Sequence, residues 1–274
     1  MFRFPKFLAA WFAVALIAGF SPAQAGPYSI VWGSGANLGL GEVPEGVHPT
    51  FIARNIYPIM KAHPGGGFYT APQYYSYDTP FGASVNTPDN IEQSQVASFF
   101  LFDDGNELSM FSFFDIPRDA DGGHVTANIT SAGLAGNNDV YVSVRDDPGD
   151  STYAWDVASG TSSPNWSWWS CCTDGMVLSG LPDAEGDTWG LDFDFLSSSG
   201  INTFRFYFLG DAYENGARTI QSVSIPAAQA NTLVVRRISE VTAAVPAPAG
   251  MLFPLAALGL IALRRRMARA AAQL

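Results

Sequence analysis

The sequence has little cysteine, little lysine, and no segment of strong helical period between its two ends. Its only cysteines are the neighbours Cys171 and Cys172, and its only lysines are Lys6 and Lys61. Cysteines with no residue between them cannot form the Cys-x-x-Cys site of thiol redox enzymes. Since no helical period competes with the many short apolar runs, the expected fold class is all-β.

Familiar catalytic motifs are missing as well. The three histidines belong to no metal-ligand pattern, and there is no Gly-x-Ser-x-Gly elbow or phosphate-binding glycine loop. We therefore expect a non-enzymatic protein. A secreted polysaccharide hydrolase is the alternative, since it needs only two carboxylates facing a cleft and the chain has 25 acidic residues. A purely structural surface module is the third class.

Positive charge is scarce in the middle of the chain. All 25 acidic residues lie there but only 8 of the 14 basic ones, which leaves a net charge of about −17. Such a surface repels phosphate backbones, so nucleic acid is not an expected partner.

The middle of the chain, residues 26–244, is predicted to form one extracytoplasmic antiparallel β-sandwich of jelly-roll-like type, with residues 26–95 irregular. Nine or ten short strands are expected, separated by turn residues every 8 to 12 positions. In one of them Trp189, Leu191 and Phe193 alternate with small or acidic residues, as in a strand with one buried face. Strand number and spacing leave a closed barrel open as the alternative.

The N-terminal end has the layout of a secretory signal peptide. Arg3 and Lys6 precede an apolar run that ends in a small-x-small site, with cleavage by signal peptidase expected after Ala25. Residues 1–25 are therefore expected to be removed on export, and an N-terminal membrane anchor is the alternative.

The C-terminal end, residues 245–274, has a Pro-x-Pro hinge, a short apolar helix at about 249–263 that could span the membrane, and an arginine cluster that would stay in the cytoplasm. This tail resembles the PEP-CTERM sorting domain of bacteria, in its Val-Pro-Leu-Pro-Ala variant. The resemblance implies an exosortase-type membrane peptidase as partner, an inner-membrane intermediate, and a final location at the cell surface or outside the cell. An unprocessed anchor is the alternative. The sorting residues are Val245, Pro246, Pro248, Ala249, Arg264, Arg265 and Arg266.

Acidic turns are candidate calcium sites. Asp146, Asp147 and Asp150 fall in one turn, and Asp119 and Asp121 fall in another. Calcium takes several carboxylate and carbonyl oxygens, which such turns can supply. The alternative is that these side chains bind their own backbone, as Asp does in many turns.

The stretch WSWWSCCTDG, residues 166–175, is the most unusual in the chain. Consecutive Cα atoms are about 3.8 Å apart against 4.4 to 6.8 Å in most disulfides, so a Cys171–Cys172 ring would be strained. A vicinal disulfide, two buried thiols and intermolecular bonds all stay open. Strained rings occur at binding sites.

Three tryptophans precede these cysteines. In an extended segment Trp166 and Trp168 would share one face and Trp169 the other. Exposed rings beside a carboxylate such as Asp174 could stack on the sugars of an extracellular polysaccharide. The alternative is that the rings close one end of the core.

The mass of the mature protein tests both terminal predictions. We expect a chain that begins at Gly26, ends near Val245, and is two hydrogens lighter than the dithiol form if the cysteine ring is closed. Intact mass spectrometry of the exported protein measures all three. A mass that retains residues 245–274 would contradict tail processing and favour the permanent anchor.

Overall fold

A computed structural model of the chain describes seven stretches of it. Residues 1–25 and 245–274 lie outside the description, as do Asp147 and Asp150, so the signal peptide, the sorting tail and two calcium candidates stay predictions. For residues 34, 48–55, 211–214 and 217 the backbone alone is described. The described stretches are 28–34, 48–76, 85, 87–146, 152–184, 186–214 and 217–237.

Seven strands form the first sheet, sheet A. Its order is β2-β1-β13-β10-β5-β7, and β8 also pairs with β5. All of its described pairs are antiparallel. The strands are β1 (Tyr28–Ser34), β2 (His48–Ile56), β5 (Gly123–Ala132), β7 (Thr161–Ser162), β8 (Asn165–Trp168), β10 (Trp189–Ser199) and β13 (Thr232–Arg237).

Six strands form the second sheet, sheet B, in the order β12-β11-β3-β4-β9-β6. One pair in it, β11 with β3, is parallel, whereas we expected only antiparallel pairing. The strands are β3 (Val96–Asp103), β4 (Leu108–Phe114), β6 (Tyr141–Arg145), β9 (Asp174–Leu181), β11 (Thr203–Glu214) and β12 (Ala217–Pro226).

The predicted all-β sandwich is confirmed, because the two sheets pack face to face around a shared core. Phe99 of β3 lies at its centre. The Phe99 ring is stacked at 6.0 Å on Phe204 and meets Trp32, Phe114 and Phe193 edge-on. Aromatic pairs at such distances add to the burial of their apolar surface.

The outer face of sheet B is also buried. Phe100, Phe102, Phe111 and Val177 point away from the shared core and pack into a second cluster. Residues 57–76 supply much of its cover, including the one-turn helix α1 (Ala71–Tyr75), whose N-terminus is closed by a Thr70–Gln73 capping box. Of residues 26–95, which we expected to be irregular, residues 57–76 therefore form a third layer, whereas β1 and β2 belong to sheet A.

This cover explains why one strand of sheet B was not predicted. The strand β9 has no alternating pattern, because almost all of its residues are buried on one face or the other, and we did not predict it. Conversely, the pattern of residues 151–157 predicts a strand, but the described part of this stretch makes only isolated bridges at Thr152 and Asp156. No helix within the described residues is long and apolar enough to cross a membrane.

The outer face of sheet A carries a buried acid. Trp189, Leu191 and Phe193 face the shared core as predicted, but Asp192 on the opposite face is only 2% exposed. Its Oδ1 accepts no hydrogen bond from any described residue. Loss of solvent, with a smaller contribution from Asp194, raises the pKa of Asp192 to about 7.

Replacing this acid should change how stability depends on pH. The pKa of Asp192 is about 7 in the folded chain and about 3.9 in an unfolded one, so its contribution to stability is lost as the pH rises from about 4 through 7. We expect Asp192→Asn to match the parent near pH 4 and to exceed it at pH 8 by up to about 4 kcal/mol. Urea unfolding at a series of pH values measures the difference.

The matched control is Asp156→Asn. A hydrogen bond from the Ser159 hydroxyl lowers the pKa of this exposed carboxyl, so its replacement should give no gain at high pH. A difference between Asp192→Asn and the parent that stays constant from pH 4 to pH 8 would contradict the prediction.

Candidate functional site

The cysteine loop, residues 169–173, joins β8 to β9 and contains a disulfide between Cys171 and Cys172. The structure therefore has the vicinal disulfide, and neither two buried thiols nor intermolecular bonds. The S–S distance is 2.06 Å and the Cα–Cα distance is 3.7 Å. Cys171 is exposed, whereas Cys172 is 7% exposed, so one edge of the ring faces solvent.

Backbone hydrogen bonds hold the loop from two sides. Within it, Cys172 N donates to Trp169 O at 2.9 Å. From the neighbouring loop, residues 115–122, Arg118 N donates to Cys171 O at 3.0 Å and Ala120 N donates to Ser170 O at 3.2 Å. The conformation of the cysteine loop thus depends on the loop beside it.

That neighbouring loop has an unusual backbone. Asp115, Arg118 and Ala120 have φ values of 72°, 71° and 72°, and Gln95, which bonds to Asp115, has a φ of 59°. None is glycine, so each adopts a left-handed conformation at some cost. Strained residues of this kind gather at functional sites when the surrounding structure holds them.

The three tryptophans divide as their alternation predicts. Trp166 and Trp168 face the core at 0% and 3% exposure, while Trp169 faces the solvent at 73%. The Trp168 ring lies parallel to Phe114 at 5.7 Å, and Trp166 packs on Phe114 at 4.7 Å. Trp166 and Trp168 close the end of the core and offer no surface for stacking, so Trp169 is the only ring of the three that a ligand could contact.

Asp174 is not at the surface either. It is fully buried at the start of β9, where Oδ1 accepts from Tyr153 Oη and Gly175 N, and Oδ2 accepts from the backbone N of Ser167. These bonds tie β9 to β8 directly beneath the cysteine loop. Asp174 is therefore placed to support the loop from below. The run Thr173-Asp174-Gly175 is typical of a turn, but the turn lies at residues 169–172, ahead of β9.

Two of the calcium candidates, Asp146 and Asp119, accept hydrogen bonds from groups of the chain itself. Asp146 is fully buried, and its Oδ2 accepts hydrogen bonds from Tyr75 Oη at 2.7 Å and Thr173 Oγ1 at 3.5 Å. Asp119 Oδ1 accepts from the backbone N of Asp121 at 3.0 Å, the local turn bond that was the alternative reading. No group of three metal-ligating side chains occurs within the described stretches.

One carboxyl beneath the cysteine loop has a shifted pKa. Asp115 is buried and accepts from Gln95 N at 2.7 Å and from the indole Nε1 of Trp168 at 2.9 Å. Burial raises the pKa of Asp115 to about 6, although these two donors favour the charged form. Asp115 thus joins the buried tryptophan to the strained loop that holds Cys171.

A groove of about 780 Å³ lies at the other end of the sandwich, and sequence reasoning missed it. At one end of β4, Phe114 pairs with Asp174 beside the cysteine loop, and at the other end Leu108 pairs with Leu181 beside the groove. The groove is built from the β3–β4 turn, the loop before β6 and the residues after β9. Each segment reads alone as an ordinary polar turn, so no single stretch indicates the groove.

Comparison of the chain with protein-family models, with curated proteins and with solved structures gives no match. The geometry of these two ends and the pattern of the sequence are therefore the basis for a functional assignment.

The two neighbouring tryptophans should differ in their effect on stability. Trp168→Ala removes a buried ring and its bond to Asp115, so we expect a loss of about 3 to 5 kcal/mol in the free energy of unfolding. Trp169→Ala removes an exposed ring and should change that free energy by about 0.5 kcal/mol or less. Urea unfolding followed by circular dichroism measures both. Equal losses would contradict the assignment of Trp169 to the surface.

Proposed function

We propose that this chain is an exported protein of the cell surface or extracellular matrix, and that its β-sandwich binds carbohydrate through Trp169 on the cysteine loop. The signal-peptide pattern at residues 1–25 and the sorting-tail pattern at residues 245–274 support export and surface location. The closed disulfide is consistent with this, since disulfides persist in oxidising compartments.

The exposure of Trp169 is the observation that carries the binding proposal. An indole that is 73% exposed leaves a large apolar surface in water, and covering that surface with a ligand would be favourable. Its flat apolar face suits the C–H face of a sugar ring. The jelly-roll-like connectivity expected from the strand spacing stays part of this proposal.

The support beneath Trp169 strengthens this reading. The disulfide and the bond from Cys172 N to Trp169 O restrict the backbone on which the indole is mounted. A side chain that is fixed before binding loses less conformational entropy when a ligand arrives. A rigid mounting is unnecessary for a ring that merely projects into solvent, so its presence favours a binding role.

A glycan array with the full chain tests the proposal. We expect binding to at least one extracellular polysaccharide fragment, and a loss of tenfold or more in Trp169→Ala, because a central aromatic residue carries much of the energy of such contacts. The matched control is Leu196→Ala, which removes another exposed apolar side chain, 60% exposed, from a different strand. The control should bind as the parent does.

The array also separates the alternatives. Absence of binding with and without calcium, and with and without reductant, would overturn the carbohydrate proposal. Equal binding by the parent and Trp169→Ala would overturn the assignment of the site. Shortened glycans among the recovered ligands would favour the hydrolase. If no glycan binds and replacement of Trp166, Trp168 or Trp169 only lowers the free energy of unfolding, the structural module is favoured.

A further inference from the structure

The strands at the edges of the two sheets differ in how open they are to further pairing. β12 is an edge of sheet B, and within the described residues it pairs with β11 alone. It is ten residues long, and its pairing with β11 from Ile220 to Pro226 has no register shift. A long, regular edge strand presents a row of backbone groups that can pair with another strand.

The other described edges are short or interrupted. β6, the opposite edge of sheet B, has five residues and a register shift between Val142 and Val144. β2 contains Pro49, and its pairing with β1 shifts register twice. β7 and β8 have two and four residues. Shortness, bulges and proline keep edge strands from pairing with other chains, and β12 has none of these features ahead of its last residue.

The composition of β12 also favours pairing. Residues 219–225, TIQSVSI, contain no charged residue, proline or glycine, and four of the seven are β-branched. Segments of this kind pair readily as strands, including with copies of themselves. The one charged residue of β12 is Arg218, whose guanidinium carbon lies 3.2 Å from the centre of the Tyr57 ring. Its charge is therefore held against a ring of its own chain.

The backbone groups on the open side of β12 follow from the register. Ala227 N donates to Asn202 O at 2.9 Å, one position beyond the last β11–β12 pair. Backbone groups of an antiparallel strand point alternately to its two sides, so those of every second residue counted back from Ala227 point to β11. The N–H and C=O groups of the residues between them point to the open side, and these residues are Ile220, Ser222 and Ser224.

The open side is accessible from solvent. Ser222 and Ser224 are exposed, and Ile220 is 36% exposed. Ile225, in contrast, is buried in the shared core and fixes the strand to the sandwich. A second strand can therefore reach the open side while β12 keeps its place in sheet B.

The charge of the chain indicates which partner fits this edge. The protein has 25 acidic residues and a net charge of −11, so two copies repel each other over most of their surface. Residues 217–239 contain none of those acidic residues. A neutral edge has no attraction for a charged partner, whereas the same neutral edge of a second copy can approach it without like-charge repulsion.

We propose that two copies of this chain associate through β12, in antiparallel pairing about a two-fold axis at Ser222. The two sheets B then form one continuous sheet. Ser222 lies opposite Ser222 of the second copy and Ile220 lies opposite Ser224, so all three open N–H groups of each strand donate to carbonyl groups of the other. Each copy has one such edge, so the assembly closes as a dimer. This inference does not depend on carbohydrate binding.

Sedimentation velocity of the purified full chain over a series of concentrations tests the proposal. We expect the parent to dimerise, and Ser222→Lys and Ser222→Glu each to weaken dimerisation at least tenfold, because each places like charges directly opposite one another at the axis. An equimolar mixture of the two variants should dimerise again, since Lys then faces Glu. Only pairing of this position with itself predicts loss in both variants and recovery in their mixture.

Two further sets of variants serve as controls. Ser198 is an exposed serine on β10, inside sheet A, so Ser198→Lys and Ser198→Glu should dimerise as the parent does. Ser222→Ala retains the backbone N–H and should also dimerise. Ser222→Pro removes an N–H that points away from β11, so it should fold and lose dimerisation. Thermal unfolding checks that each variant is folded.

Three results would overturn the proposal. The first is a parent that stays monomeric up to roughly 1 mM. The second is a dimer that persists in both Ser222→Lys and Ser222→Glu, which would assign the association to another part of the chain. The third is a mixture of these two variants that associates no better than either one alone.

Discussion

The burial of sheet B on both faces is the constraint on which the rest of this structure depends. The central strands β3, β4 and β9 lie between the shared core and the covering layer, so almost every side chain on them is buried. The faces of this sheet are therefore closed to ligands. In this sheet the surface open to a ligand lies where the strands end, and the cysteine loop and the groove lie at opposite ends of β4 and β9.

Burial on both faces also sets how far the fold can be predicted. In a strand with one solvent-exposed face, apolar residues recur at every second position, and β10 was predicted from that pattern. A strand buried on both sides shows only a short apolar run, which is why β9 was missed while the longer phenylalanine-rich runs of β3 and β4 were found. Residues 57–76 have no period at all, since their role is to cover a sheet whose position is set by distant residues.

In the cysteine loop, too, some features of the side chains can be predicted from the sequence and others cannot. Alternation was enough to predict that Trp166 and Trp168 share a face and that Trp169 opposes them. The depth of each ring was not predictable, because it depends on Phe114 from β4. The backbone support of the loop was not predictable either. The left-handed backbone conformation of Asp115, Arg118 and Ala120 follows from tertiary contacts and not from residue type.

The groove is the clearest case of a site that no local pattern encodes. Glu107, Asp139 and Asp183 are separated along the chain and become neighbours only because β4 and β9 pair in antiparallel register with Leu108 against Leu181. A slip of that register by one residue would turn each core side chain to the opposite face, so core packing fixes the register. The same packing therefore assembles the acidic groove without any stretch of sequence being devoted to it.

The two ends of the sandwich differ in chemistry as well as in position. Strand β4 has seven residues, so the ends are about 20 Å apart. One end presents an apolar indole on a disulfide-closed loop, and the other presents carboxylates and a tyrosine. Because the strands between them are packed on both faces, the distance between the two ends is fixed. A ligand that contacted both ends would have to span that distance, and only for such a ligand would binding at one end raise the effective concentration at the other.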